Sequence, residues 1–291
     1  MTRNTLTATM AVAAAAFVLT ACAKNETAQT DTATTAAPAA AAAPTPNMVT
    51  FSAKEFAFEG PDSIPAGLTM FHLNATGQEL HHLQILKLEE GKTFADFQAA
   101  LKAGGPPPTW AVPYGGVNPP VPGGTTISTQ TMEPGNYVVV CFIEGADKVP
   151  HLAKGMTKPL TVTPVANANM TEPTADVTMT LSDYTFTLSK PLAAGRQMIK
   201  VVNGATQPHE VVLVQLDSGK TMEDVGKWAE TMKGPPPGKP IGGIPAFMPG
   251  KNTYFEASLT PGDYGLICFV PDAKDGKPHV AHGMVQQFKI S

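Results

Sequence analysis

The feature that most constrains the fold of this chain is that it repeats itself. Residues 47–291, laid against themselves with an offset of about 128, match at many points. Thr93-Phe94-Ala95-Asp96 falls on Thr221-Met222-Glu223-Asp224. Gly105-Pro106-Pro107-Pro108 falls on Gly234-Pro235-Pro236-Pro237, and Glu133-Pro134-Gly135-Asn136-Tyr137 on Thr260-Pro261-Gly262-Asp263-Tyr264. A period this long is a duplicated domain rather than a solenoid unit of about 20–50 residues. The expected organisation is one domain over 47–164, a linker over 165–175 and a second domain over 176–291. The boundary segment, Pro164–Ala175, is polar and carries two prolines.

Each copy reads mainly as strands. Leu68–Leu73, Leu83–Leu88 and Tyr137–Phe142 in the first copy are apolar-rich runs, matched by Met198–Val202, Val211–Leu216 and Tyr264–Val270 in the second. The last of each set is continuous behind a Pro-Gly turn, as buried central strands are. One helix per copy is expected. Thr93 caps a segment carrying Phe94, Phe97 and Leu101, and Thr221 caps one carrying Val225, Trp228 and Met232, each stopped by three prolines. Charged residues are only 15% of the chain, while glycine and proline number 26 and 28. Low charge with frequent turn-formers fits short strands joined by loops. The expected class is all-β, two sandwiches or barrels in tandem, each with one short inserted helix. A net charge of −4 leaves no basic footprint for nucleic acid.

The N-terminus reads differently. Arg3 precedes an apolar run, Leu6–Leu19, too short to span a bilayer core that needs about 20 residues. It ends in Leu19-Thr20-Ala21-Cys22, which resembles a bacterial lipoprotein signal: cleavage after residue 21 and lipidation of Cys22. The alternatives are an ordinary secretory signal and an uncleaved anchor. Residues 22–46 then form a tether of Ala, Thr and Pro with no large apolar residue to bury. The expected location is the cell envelope, lipid-anchored and periplasm-facing. Ala23, rather than Asp, after the anchor leans toward the outer membrane if the host is Gram-negative.

Three cysteines exclude a disulfide framework. With Cys22 set aside, Cys141 and Cys268 occupy matching positions. Cys141 is followed by His151 and Met156, and Cys268 by His279 and Met284. A histidine opens an apolar strand in each copy, His81 and His209. A single buried Cys, His or Met is ordinarily a packing residue. The whole set recurring twice is not ordinary. One thiolate and two imidazoles in a trigonal plane with a long axial thioether form a blue-copper site, whose soft and borderline donors suit both copper oxidation states. Counting back from Leu88 and Leu216 aligns His81 with His209, although His82 is an alternative ligand. His282 reads as a solvated neighbour of the second site, and His72 as a strand residue.

The segments Gly-Asp-Tyr-Gly-Leu-Ile-Cys268, His279-Val-Ala-His-Gly-Met284-Val and Asn203-Gly-Ala-Thr-Gln-Pro-His209 resemble the copper-binding ends of cupredoxins, the plastocyanin and azurin family. The resemblance implies a Greek-key β-sandwich in each copy, copper near one end, and up to two type 1 sites. It also implies an electron carrier with a membrane or periplasmic redox partner. The Cys-to-His loops are longer than in small blue copper proteins and end in Pro150 and Pro278, which stiffen them. No His-x-His pair occurs, and no histidine flanks either cysteine. A catalytic copper centre of the oxidase or nitrite reductase kind is therefore not expected, and the chain reads as a non-enzyme. Two other classes stay open: copper storage or delivery, and a metal-free interaction module.

Overall fold

The computed structural model describes residues 45–165, 171–231 and 233–291. Cys22, the signal and most of the tether lie outside the described residues, as does part of the 165–175 segment. The body from Ala43 to Ser291 is one compact unit. It is nearly all β, with two short helices, Phe94–Lys102 and Met222–Thr231. Both begin where their threonine caps place them. The Thr93 hydroxyl accepts from Asp96 N–H while the Asp96 carboxylate accepts from Thr93 N–H, so two otherwise unpaired donors are satisfied reciprocally. Thr221 and Asp224 repeat the arrangement.

The core is built twice. In the first copy Phe51, Phe71, Leu73, Ile85, Tyr137 and Val139 pack together. In the second, Met179, Ile199, Val201, Leu213, Phe255 and Leu266 do the same. Each helix closes a smaller cluster on the outer face of its sheet: Phe97 over Leu86, Val138 and Val140, and Met222 with Val225 over Val214, Leu216 and Ile267. A strand alternates its side chains between faces, so one strand feeds both clusters. Val139 and Cys141 point inward to the main core while Val138 and Val140 point outward to the helix.

The two copies share their sheets, which the sequence pattern does not reveal. One eight-stranded sheet runs through both, the strand Thr125–Met132 pairing antiparallel with Asn252–Leu259 through Ser128↔Phe255 and Thr129↔Tyr254. A nine-stranded sheet also runs through both, Ala111–Val117 meeting Gly238–Phe247 at Tyr114↔Phe247. Side chains fasten the seam. Gln84 Nε2 donates to Ala246 O at 2.9 Å, Asn118 Nδ2 to Val211 O at 2.7 Å, and Thr253 Oγ1 to Thr129 O at 3.1 Å.

Candidate metal centres

Each candidate site is assembled by three pieces of chain. The first histidine lies at the entry to a central strand: His81 two residues before Leu83–Leu88, and His209 at the start of His209–Leu216. The cysteine ends the neighbouring strand, directly after Gly135–Val140 or Gly262–Ile267. The strands pair antiparallel, Gln84 with Val140 and Val212 with Ile267, which brings the two ligand-bearing ends together. The loop after the cysteine folds back on itself, closed by the bridges Glu144↔Pro150 and Pro271↔Pro278. Pro150 and Pro278 then open short 3₁₀ turns, His151–Lys154 and His279–His282. Each turn stops at a glycine in the left-handed region, Gly155 at φ 95° and Gly283 at φ 93°, where a side chain would be strained. That reversal returns Met156 and Met284 to the site. Cys141 N–H donates to Met156 O, and Cys268 N–H to Met284 O, at 3.3 and 3.2 Å.

The donor atoms converge. His81, Cys141 and His151 each offer a ligand atom within 4.8 Å of the others, as do His209, Cys268 and His279. In the first site His81 Nδ1 and His151 Nδ1 are 3.0 Å apart, and Cys141 Sγ is 3.5 Å from His151 Nδ1. In the second, Cys268 Sγ is 3.4 Å from His279 Nδ1 and 3.9 Å from His209 Nδ1. The same ring nitrogen faces inward in these contacts. All six residues, and Met156 and Met284, are buried. His81 rather than His82 joins the first cluster. His82 turns away and accepts Phe142 N–H at Nε2, 2.9 Å.

The electrostatics suit a cation. Burial holds His81 down to about 4, helped by the neighbouring His151, and lowers His151, His209 and His279 as well. The imidazoles are therefore neutral near pH 7, as metal ligation requires. Burial pushes the Cys141 thiol up to about 12 and raises Cys268 also. In the absence of a cation these sulfurs keep their protons. A bound metal replaces each proton and compensates the thiolate charge. Two imidazoles and a thiol at one buried point, with a buried methionine bonded to the cysteine through its backbone, make a donor set that fits copper.

Carboxylates outside the clusters orient the rings through Nε2. His151 Nε2 is 2.7 Å from Glu79, and His209 Nε2 is 2.9 Å from Asp183. The hydrogen bond from His209 holds Asp183 below the usual carboxylate range. Asp272 lies 3.7 Å from His279 Nε2 and is itself lowered, chiefly by the Tyr184 hydroxyl at 2.5 Å and by Gln207 at 3.0 Å. His81 Nε2 is buried with no partner among the described residues. The two centres are thus not duplicates: the carboxylate sits on the second histidine in one and on the first in the other.

An aromatic residue roofs the second histidine in both. Phe56 meets His151 edge-on with ring centroids 5.2 Å apart, and Tyr184 meets His279 likewise at 5.5 Å. Both are non-glycine residues in the left-handed region, at φ 63° and 69°, at equivalent points of the two copies. Each is the second residue of a two-residue hairpin turn, Phe56 between Asn47–Lys54 and Ala57–Glu59 and Tyr184 between Val177–Ser182 and Thr185–Leu188, and such turns call for a positive φ. His282 packs under Tyr184 and reaches Asp275 at 3.1 Å. Neither the roofing pair nor the orienting carboxylates stand out in the sequence, because a turn aromatic or a loop acid carries no motif of its own.

The likeness is to copper proteins. An auracyanin from the photosynthetic bacterium Roseiflexus castenholzii is 25% identical over 40% of this chain and 98% of its own, with a TM-score of 0.29. Auracyanin A, a "blue" copper protein from Chloroflexus aurantiacus, is 19% identical over 41% of this chain and 100% of its own, also at 0.29. A copper nitrite reductase from Nitrosomonas europaea is 12% identical over 85% of this chain and 94% of its own, at 0.25. No protein-family model and no curated protein matches the chain.

Proposed function

We propose that the chain is a copper-binding electron carrier with a type 1 site in each copy. The observation that carries this reading is the meeting of two histidine Nδ1 atoms with a buried cysteine sulfur, repeated at equivalent places and backed each time by a buried methionine. Copper bound there supplies a one-electron couple. The chain's residues supply the rest. The thiolate and thioether favour the reduced ion, the imidazoles serve both states, and the carboxylates and aromatic roofs hold the rings in place. The finer fold reading, two tandem cupredoxin-like Greek-key sandwiches, belongs to the same proposal.

All four candidate histidine ligands are buried, so no imidazole edge reaches solvent. Phe269 and Val285, each next in sequence to a residue of the second site, are exposed. They are the apolar surface at which a redox partner would meet that site. The chain carries no His-x-His pair with which to bind a catalytic copper, which favours a carrier over an enzyme. Lipidation at Cys22 would tether it to the envelope membrane through the 23–46 segment.

Adding Cu(II) to the purified chain is expected to give an intense visible thiolate-to-copper band and a reversible voltammetric couple. Cys141→Ser and Cys268→Ser each remove part of the band, and the double variant removes all of it. A colourless protein refutes the proposal, and release of copper on reduction favours delivery instead. Labelling with a fatty-acid analogue, lost in Cys22→Ala, tests the tether.

A further inference from the structure

The segment from Cys268 to Met284 carries a further group of donors outside the two candidate centres. Asp272, Asp275 and His282 each offer a ligand atom within 4.8 Å of the others. Asp272 is buried, Asp275 is exposed and His282 is half-buried, so the group opens to solvent on one side. His282 Nε2 lies 3.1 Å from Asp275 Oδ1. Two neighbouring ligands at about 2.0–2.2 Å from one ion stand about 3 Å apart, so this pair needs little rearrangement to share a cation. The Asp272 carboxylate is held by the Tyr184 hydroxyl at 2.5 Å, Gln207 Nε2 at 3.0 Å and Lys274 N–H at 2.8 Å. Asp275 accepts Lys277 N–H at 3.0 Å, and the exposed Lys277 ammonium lies 3.7 Å from its other oxygen. A second buried group is aimed at the same place. His279 Nε2 is fully buried, has no hydrogen-bond partner among the described residues, and faces Asp272 at 3.7 Å.

The first copy shows what fills this place there. Asp147 and Lys154 stand four residues before and three after His151, as Asp275 and His282 do about His279. Lys154 Nζ is 2.9 Å from Asp147 and 4.5 Å from the centre of the Phe56 ring, just as His282 packs against Tyr184 at 5.0 Å. Gly145 follows Cys141 by four residues, as Asp272 follows Cys268. A Cβ at Gly145 would meet Lys154 Nζ at 2.8 Å and Asp147 Oδ1 at 3.0 Å. The lysine head therefore occupies the ground that the Asp272 side chain takes in the second copy. Lysine has become histidine and glycine has become aspartate. That exchange removes a cation belonging to the chain and leaves two carboxylates beside an imidazole.

We infer that Asp272, Asp275 and His282 form a further metal site, for a divalent cation of the zinc kind, which clips the loop after Cys268 to the turn His279–His282. Carboxylate and imidazole donors suit Zn(II), whereas Cu(I) prefers the sulfur-bearing centres. The ion does in the second copy what the Lys154–Asp147 ion pair does in the first. An oxygen completing its coordination shell is the acceptor that His279 Nε2 lacks. This site goes beyond the two copper centres and does not depend on them.

The test uses Zn(II) alone as the probe, titrated by calorimetry into the full chain already saturated with Cu(I) under anaerobic conditions. One Zn(II) per chain is expected, with a higher thermal midpoint, because an ion that binds only the folded state stabilises it. His282→Lys reproduces the arrangement of the first copy and is therefore expected to fold. It should weaken Zn(II) at least about tenfold and abolish the rise in thermal midpoint, since losing a ligand costs no less than losing a group that supports one. Asp275→Ala is expected to weaken Zn(II) by a similar factor. Failure of the Cu(I)-loaded chain to take up Zn(II) overturns the inference, as does binding that survives either His282→Lys or Asp275→Ala unchanged. A chain that takes up no Cu(I) overturns the copper reading instead, and the further site is then counted as the one Zn(II) that the parent binds and His282→Lys does not.

Discussion

His82 makes the metal-free chain acid-sensitive in a way that can be sized. Its side chain is buried, accepts Phe142 N–H, and is held down to about 3 from the ordinary 6.5, first by burial and then by His151 and His81. Unfolding returns it to the ordinary value. Between the two values the unfolded chain binds a proton that the folded chain does not, so stability rises with pH and is lost as pH falls below about 6.5. With these values the loss between pH 7 and pH 5 is about 2 kcal/mol from His82 alone. His81, held down to about 4, adds a similar amount over the same interval. Urea unfolding of the copper-free chain at pH 7 and pH 5 measures the drop directly. His82→Gln keeps an acceptor for Phe142 and removes the titration, so its drop is expected to be smaller by about 2 kcal/mol. An unchanged pH dependence in His82→Gln would refute the reasoning, whatever that variant's stability at pH 7.

Two further outcomes are expected. Gly243 stands at φ 117°, and a Cβ there would meet Val211 O at 2.0 Å. Gly243→Ala should cost at least about 1–3 kcal/mol of stability, visible as a lower thermal midpoint, and should weaken the second site more than the first. Glu79 orients His151, so Glu79→Ala should lower copper affinity at the first site about 10–100-fold in chelator competition while leaving the second unchanged.

Much of the candidate site was legible in the sequence because its residues are chemically distinctive and recur. Cys141 and Cys268 share a position, and the His and Met after each keep their spacing. The helix starts were legible because a threonine cap with an acid three residues on is a local signal that needs no tertiary partner. The choice of His81 over His82 needed only strand register. What stayed hidden is non-local. Asn118 and Gln84 are ordinary polar residues, and nothing in a one-dimensional pattern shows that their partners lie in the other copy. The same holds for Glu79 and Asp183, whose roles depend on which loop reaches which imidazole. The buried state of all four histidines was also hidden, since exposure of a ring edge is set by the turns bearing Phe56 and Tyr184 and by the neighbouring acids.

The pairing across the seam has a consequence for symmetry. Thr125–Met132 meets its own counterpart, Asn252–Leu259, and Ala111–Val117 meets its counterpart in Gly238–Phe247, both antiparallel. Contact between equivalent strands in opposite directions is self-complementary, the pattern of a twofold symmetric homodimer. A single copy would expose both strands as open edges, ready to recruit another chain. Here one polypeptide supplies both sides of that contact and so covers both edges itself. The two sides need not match in sequence, and the surroundings of Cys141 and Cys268 differ accordingly.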